Sequence, residues 1–286
     1  MKVLNDVSLA KKTTFKVGGK AVNYYIPENT DDVRRLISDL KDREYYILSG
    51  GSNLLINDKR SYEHIIFCGE FDREMTHLGD GRFYIGASNR IQRVISFVNE
   101  NGFGGFEELI CLPAMFGGNI YMNAGIGGKN KEKFNIGDFI IKVKCMDRSN
   151  GDIVWISKED CKFGYRYSIF KENNYIILGA EIQLSPQAPD VSKNNIAKRR
   201  EFCKSHQEWG KGCFGSCFST KNWKILNMTR KLSKFKGGVY QSHLNSNWLV
   251  NDGSGTFDDA MKIIDRITFL HKLFHASIEP EVIIWK

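Results

Sequence analysis

Apolar residues recur along the chain in two rhythms, and most of its elements follow from them. Val33, Leu36, Ile37 and Leu40 stand at i, i+3, i+4 and i+7, one face of a helix that Thr30 is suited to cap. Ile91, Val94, Ile95 and Val98 repeat the pattern, and Asn101-Gly102 ends that helix. A last helix opens at Thr256, with Asp259 completing a variant capping box, and buries Ala260, Ile263, Ile264 and Ile267. Asn194 to Lys204 reads as a basic helix. Runs too short for helices predict strands at Ala21 to Ile26, Tyr45 to Leu48, His64 to Cys68, Phe83 to Gly86, Phe139 to Met146, Asp152 to Ser157 and Tyr175 to Leu184. Gly237 to Asn251 reads as two strand pieces around a polar turn, and Glu279 to Trp285 as a terminal strand.

Glycine interrupts these rhythms at places where side chains would be in the way. Gly50 and Gly51 follow the Tyr45 to Leu48 strand, with Ser52 and Asn53 beside them; the stretch suits a phosphate or pyrophosphate, and equally a tight turn. It is neither a dinucleotide fingerprint nor a Walker loop, because the glycine spacing and the Lys-Ser/Thr pair are missing. From Gly104 to Gly125 glycine is again dense among apolar residues, as at a sheet corner or where backbone packs against something flat. Arg166 sits among Phe163, Tyr165 and Tyr167, either as a stacked structural cation or as a carboxylate-binding group. Ser216 and Cys217 are neighbours, so in an extended segment they face opposite ways. His271 and His275 stand one turn apart near the end of the last helix, where cations suit the helix C-terminus; with no third ligand they are read as capping residues rather than a metal site.

Composition narrows the setting. A chain of 286 residues predicts about two domains, and the polar segment near Pro186 to Pro189 is the expected boundary. The formal charge of +8 favours an anionic partner, which a nucleotide satisfies; basic and aromatic residues do not interleave as in RNA-binding modules, so no nucleic acid is expected. No apolar run approaches a membrane span, and Asp6 interrupts any leader-like start, so a cytoplasmic protein without membrane partners is expected. The 7 cysteines are expected to be reduced, and Cys213 and Cys217 lack the partners of a zinc site.

The ordered motifs resemble the UDP-N-acetylenolpyruvoylglucosamine reductase family: TTFKVGGKA (13 to 21), LSGGSNLL (48 to 55), GFEELICLPAMFGGNIYMNAG (105 to 125), FGYRYSIF (163 to 170), GSCF (215 to 218), GGVYQSHLNSNWLVN (237 to 251) and EPEV (279 to 282). The resemblance covers nearly the whole chain and fits the family branch without a long tyrosine-bearing loop. It implies an α+β protein with an FAD-binding module of the vanillyl-alcohol-oxidase (PCMH) type over residues 1–187, in subdomains of about 1–56 and 57–187. A smaller α+β substrate-binding domain would follow over 190–264, and 265–286 would return to the FAD-binding part.

The implied activity is NADPH-dependent, FAD-dependent reduction of UDP-N-acetylglucosamine enolpyruvate to UDP-N-acetylmuramate in peptidoglycan synthesis. Non-covalent FAD, NADPH as co-substrate and a monomer are implied with it. Arg166, Ser216 and Glu281 match the family's catalytic residues. Gly50, Gly51, Ser52, Asn53, Leu54, Pro113, Ala114, Met115, Gly117, Gly118 and Asn123 match its cofactor-binding positions, and Lys204, Gln207, Tyr165 and Thr220 its substrate-binding ones. The chain departs from the pattern at Ala114, Glu208, Ser219, Thr220 and Asn245, mostly in the substrate-binding part. Two alternatives stay open: an FAD oxidase of the same fold acting on another small molecule, and a nucleotide-binding protein impaired in catalysis.

Overall fold

Helix α1 (Thr30–Asp39) buries Val33, Leu36 and Ile37, the face its periodicity predicts. Its cap is Asn29 rather than Thr30: Asn29 Oδ1 accepts the Asp32 amide at 2.9 Å, and Asp31 and Asp32 in the first turn complement the helix dipole. Asparagine and threonine both cap well, and the chain enters the helix at the earlier of the two.

The computed structural model describes residues 1–126, 134–172, 174–208, 210–232 and 237–286. Contacts divide the chain into two units. The first holds Met1–Leu4, Asn23–Gly50 and Glu63–Glu201; the second holds Asn5–Val22, Gly51–Tyr62 and Phe202–Lys286. The mixture of helices with largely antiparallel strands is the α+β class expected.

In the first unit a five-stranded antiparallel sheet runs in the order Ile153–Ser157, Ile140–Asp147, Tyr175–Gln183, Arg82–Gly86, Met75–Gly79. Helix α2 (Ile91–Glu100) adds Ile91, Val94, Ile95 and Val98 to the apolar cluster that contains Phe83, Ile85, Val143, Leu178 and Ala180. Each such side chain contributes roughly 1.5–3 kcal/mol by leaving water. Tyr46–Leu48 lies parallel to Ile65–Phe67 and delivers the first glycine pair. The second glycine-dense stretch holds no sheet corner; it contains a short helix, α3 (Phe116–Tyr121). Helix α4 (Pro189–His206) starts earlier than its basic run because Pro189 is favoured in a first turn, and Ile196 packs on the first unit's cluster. The division between the two contact units falls inside α4, at Glu201.

In the second unit Gly212–Ser216, Trp248–Asn251 and Val239–Gln241 form a three-stranded antiparallel sheet in that order. Helices α5 (Trp223–Leu232) and α6 (Phe257–Leu273) pack together, and α6 carries the capping box of Thr256 and Asp259. Phe214, Leu226, Val239, Leu249, Ala260, Ile263, Ile264, Ile267 and Val282 form the core. The terminal strand is two pieces: Glu279–Pro280 pairs with Phe218–Thr220, and Ile283–Trp285 lies parallel to Leu54–Ile56. His271 is no exposed capping cation. It is fully buried, and its ring bonds to Ile267 and Asn222, while His275 lies beyond the helix at φ 50°. Among the described residues no helix is long and apolar enough to cross a membrane.

The position of the α1 cap is testable by urea unfolding. Asn29→Ala is expected to lower stability by about 1 kcal/mol, and Thr30→Ala by clearly less.

Candidate active site

The first glycine loop starts in the first unit. A Cβ on Gly50 would stand 3.2 Å from the Pro113 carbonyl and 3.4 Å from Ala114 Cα and Met115 N, so two backbones lie directly on one another here. Gly117 packs as closely: its Cβ would be 2.8 Å from the Ala87 methyl. The Gly117 amide donates to Ala87 O at 3.0 Å, Phe116 N to Asn89 O at 2.8 Å, and Ile91 N to Ala114 O at 3.1 Å. The Phe116 and Gly117 amides are thus committed to protein, and any phosphate contact from this loop must use other groups. The backing segment Ala87-Ser88-Asn89 escaped the sequence reading. Its only signal is a set of small and polar residues at a strand-to-helix joint, yet all three are buried.

Asn119, also missed, follows Gly117 and Gly118 in α3. It is 1% exposed, and its Nδ2 has no acceptor among the described residues. An unpaired buried donor costs about 1–3 kcal/mol. A flavin nucleotide, rich in carbonyl and phosphate acceptors, would relieve that cost. The residues present therefore fit FAD.

Arg166 lies in a tight turn closed by reciprocal Gly164–Tyr167 backbone bonds of 3.0 and 3.2 Å. Its φ of 56° is in the left-handed region that non-glycine residues avoid, a cost of order 1 kcal/mol that surrounding contacts must sustain. Those contacts are present: the guanidinium donates to Gly125 O at 2.7 Å and Asn123 O at 3.4 Å, and lies 5.1 Å from the Tyr165 ring centre. Asn123, itself at φ 42°, donates through Nδ2 to Gly164 O at 2.7 Å and accepts the Gly137 amide at 3.0 Å. One end of its amide thus holds the arginine turn and the other the backbone at Gly137. Tyr165 is 59% exposed.

In the second unit Gly51, at φ 60°, lies so close to Lys12 that a Cβ would come within 2.2 Å of its carbonyl oxygen. Thr14 N donates to Gly51 O at 3.0 Å, and Thr14 Oγ1 to Cys213 O at 2.6 Å, so the TTFKVGG segment holds this loop beside the strand that carries Ser216. Asn53 Nδ2 donates to Glu281 O at 2.9 Å, and Ile283 N to Asn53 O at 3.1 Å. Asn53 therefore anchors the terminal segment with the group expected to meet phosphate. Ser52 is half-buried, and Leu54 enters the strand paired with Ile283.

Ser216 is half-buried at the end of its strand, beyond a register irregularity at which Gly215 has φ 81°. Cys217 is buried, its amide donates to Asn247 O at 2.8 Å, and its carbonyl accepts the Glu281 and Val282 amides at 2.9 and 3.3 Å. Burial pushes the Cys217 thiol up, with Glu281 adding to the effect, which leaves this cysteine an inert part of the core. Ser216 and Glu281 thus meet through one peptide. Thr220 Oγ1 donates to Glu279 Oε2 at 2.9 Å. Lys204 stands exposed on the last turn of α4, with Gln207 half-buried just beyond it. Arg166 belongs to the first unit, and Ser216 and Glu281 to the second.

Residues 22–157 match the family model described as an FAD binding domain. A UDP-N-acetylenolpyruvoylglucosamine reductase of Bacillus pumilus is 27% identical over 98% of this chain and 92% of its own. One from Leptospira interrogans is 30% identical over 92% of this chain and 85% of its own. The crystal structure of a UDP-N-acetylenolpyruvylglucosamine reductase from Thermus caldophilus, 24% identical, covers both chains completely with a TM-score of 0.79 and has the same fold. The chain belongs to the UDP-N-acetylenolpyruvoylglucosamine reductase family.

Proposed function

We propose that Arg166, Ser216 and Glu281 carry the chemistry of this reductase. The activity is that of the family: FAD-dependent, NADPH-consuming reduction of UDP-N-acetylglucosamine enolpyruvate to UDP-N-acetylmuramate, a step of peptidoglycan synthesis. Gly50, Gly51, Ser52, Asn53, Leu54, Pro113, Ala114, Met115, Gly117, Gly118 and Asn123 would hold the cofactor, with Asn119 adding a donor. When bound, FAD supplies the hydride chemistry, accepting hydride from NADPH and giving it to C3 of the enolpyruvyl group.

The side chains must deal with what this leaves at C2. Negative charge there spreads into the substrate carboxylate, and C2 must gain a proton. Arg166 offers a planar cation for the carboxylate, already oriented by the Gly125 and Asn123 carbonyls. Ser216 gives its hydroxyl proton to C2; a serine is a weak acid, so the step depends on a strongly basic carbanion. Glu281 is the carboxylate that accompanies the serine. The observation that supports this reading most is the Cys217 peptide, which joins the Ser216 strand to the backbone of Glu281. Lys204 would bind the nucleotide's diphosphate as a point charge, with Gln207, Tyr165 and Thr220 as further substrate contacts.

Purified protein should show flavin absorbance; a colourless protein that FAD cannot reconstitute would remove the cofactor from the reading. Ser216→Ala should leave reduction of the flavin by NADPH intact and slow its reoxidation by the enolpyruvyl nucleotide by about 100-fold or more, as read by anaerobic stopped-flow. Equal loss in both half-reactions would contradict the assignment. Arg166→Lys keeps the charge and loses the planar fork, and should lower kcat/KM for the enolpyruvyl nucleotide at least about tenfold. Near-normal turnover would make Arg166 structural.

A further inference from the structure

We infer that His271 is a positioning residue, which clamps the short strand pair leading from Ser216 and Glu281; only its consequence for catalysis rests on the reading above. The His271 side chain is 0% exposed. Its Nε2 lies 3.0 Å from the Asn222 amide, and a backbone amide can only donate, so Nε2 bears no proton. The proton is then on Nδ1, which donates to Ile267 O at 2.8 Å. Both ring nitrogens are committed, in one tautomer.

The partner of Nε2 is itself a joint. Asn222 precedes α5, and its Oδ1 accepts the Lys224 and Ile225 amides at 2.9 and 3.4 Å, so it caps that helix. The His271 main chain acts on the other side: its carbonyl accepts the Ala276 amide at 2.8 Å. One residue thus fixes the chain at 222 and at 276, just outside the Phe218–Thr220 and Glu279–Pro280 strands.

Those strands need an outside clamp. Their register is only Phe218 with Pro280 and Thr220 with Glu279, and it is irregular between the two pairs. A two-stranded piece of this size has no stability of its own in water. At one end it is held by the Glu281 amide on Cys217 O and by Asn247, whose Oδ1 accepts the Phe218 amide at 3.1 Å and whose Nδ2 donates to Phe218 O at 2.9 Å. His271 holds the other end. Without it the strands can shift against each other, and a displacement of about 1 Å at reacting groups is enough to cost on the order of 100-fold in rate.

Two variants of the FAD-loaded enzyme separate clamping from packing. In His271→Gln the amide oxygen reaches the place of Nε2 and can still accept from Asn222. In His271→Asn the shorter amide reaches only the place of Nδ1 and keeps the Ile267 contact. Hydrogen exchange across residues 218–224 and 279–281 should speed up about tenfold or more in the Asn variant and return to within about threefold of the parent in the Gln variant. Stopped-flow should show reoxidation by the enolpyruvyl nucleotide slowed about 10- to 100-fold in the Asn variant, reduction by NADPH unchanged, and recovery in the Gln variant. Equal exchange in the two variants overturns the clamp. Faster exchange in the Asn variant with normal reoxidation overturns its link to catalysis, and leaves the Ser216 assignment to its own test. Losses of the same size in both half-reactions and both variants assign His271 to packing alone and overturn the inference.

Discussion

The candidate chemistry of the second unit depends on the peptide groups of Cys217. Its amide bonds to Asn247, and its carbonyl receives the amides of Glu281 and Val282. Each such bond contributes about 1 kcal/mol net, but a buried peptide group left unpaired costs about 1–3 kcal/mol, so the junction is held more by the penalty of opening it than by the strength of any contact. The cysteine side chain has no chemical part in this. It lies 1% exposed in the apolar core. A small apolar side chain anchors the position, and its backbone brings serine and glutamate together.

The first unit solves a similar problem by different means. Arg166 and Asn123 both occupy the left-handed region, and each holds the other's turn: the guanidinium on the Asn123 and Gly125 carbonyls, the asparagine amide on Gly164. Neither conformation would persist in isolation. The mutual bonds let a charged side chain take one orientation without a long, dedicated element beneath it.

What could be read beforehand divides along the same line. The faces of α1, α2 and α6 were legible because helical periodicity is a local signal, and the α6 capping box because its partners stand three residues apart. The glycine pairs marked where backbone meets backbone, but not what it meets: Gly50 lies on Pro113, Gly51 on Lys12. The protein bonds of Asn53 and Asn123 were not legible, because an asparagine near a glycine loop looks the same in sequence whether or not it also ties down a distant carbonyl. His271 was misread for a related reason. Its place near a helix end suggests an exposed cation, whereas the partner that decides its state, Asn222, is 49 residues away.

Four of the five departures from the family pattern take part in networks of nonlocal bonds of this kind. Glu208 accepts from Ser242 Oγ and the His243 amide, both at 3.2 Å, and pairs with Lys211 at 3.4 Å, while Arg230 donates to the His243 carbonyl at 2.7 Å. The turn at 242–245 is thereby gripped from both sides. Within it, Asn245 Oδ1 accepts the Asn247 amide at 3.0 Å, and Asn247 is the residue whose carbonyl holds Cys217 and whose side chain brackets Phe218. The unusual residues at 208 and 245 thus stand in one chain of bonds that ends at the serine's neighbour. Ser219 and Thr220 behave alike, their hydroxyls donating to the Glu279 carbonyl at 3.3 Å and carboxylate at 2.9 Å. These four side chains are thus each engaged in bonds within the second unit.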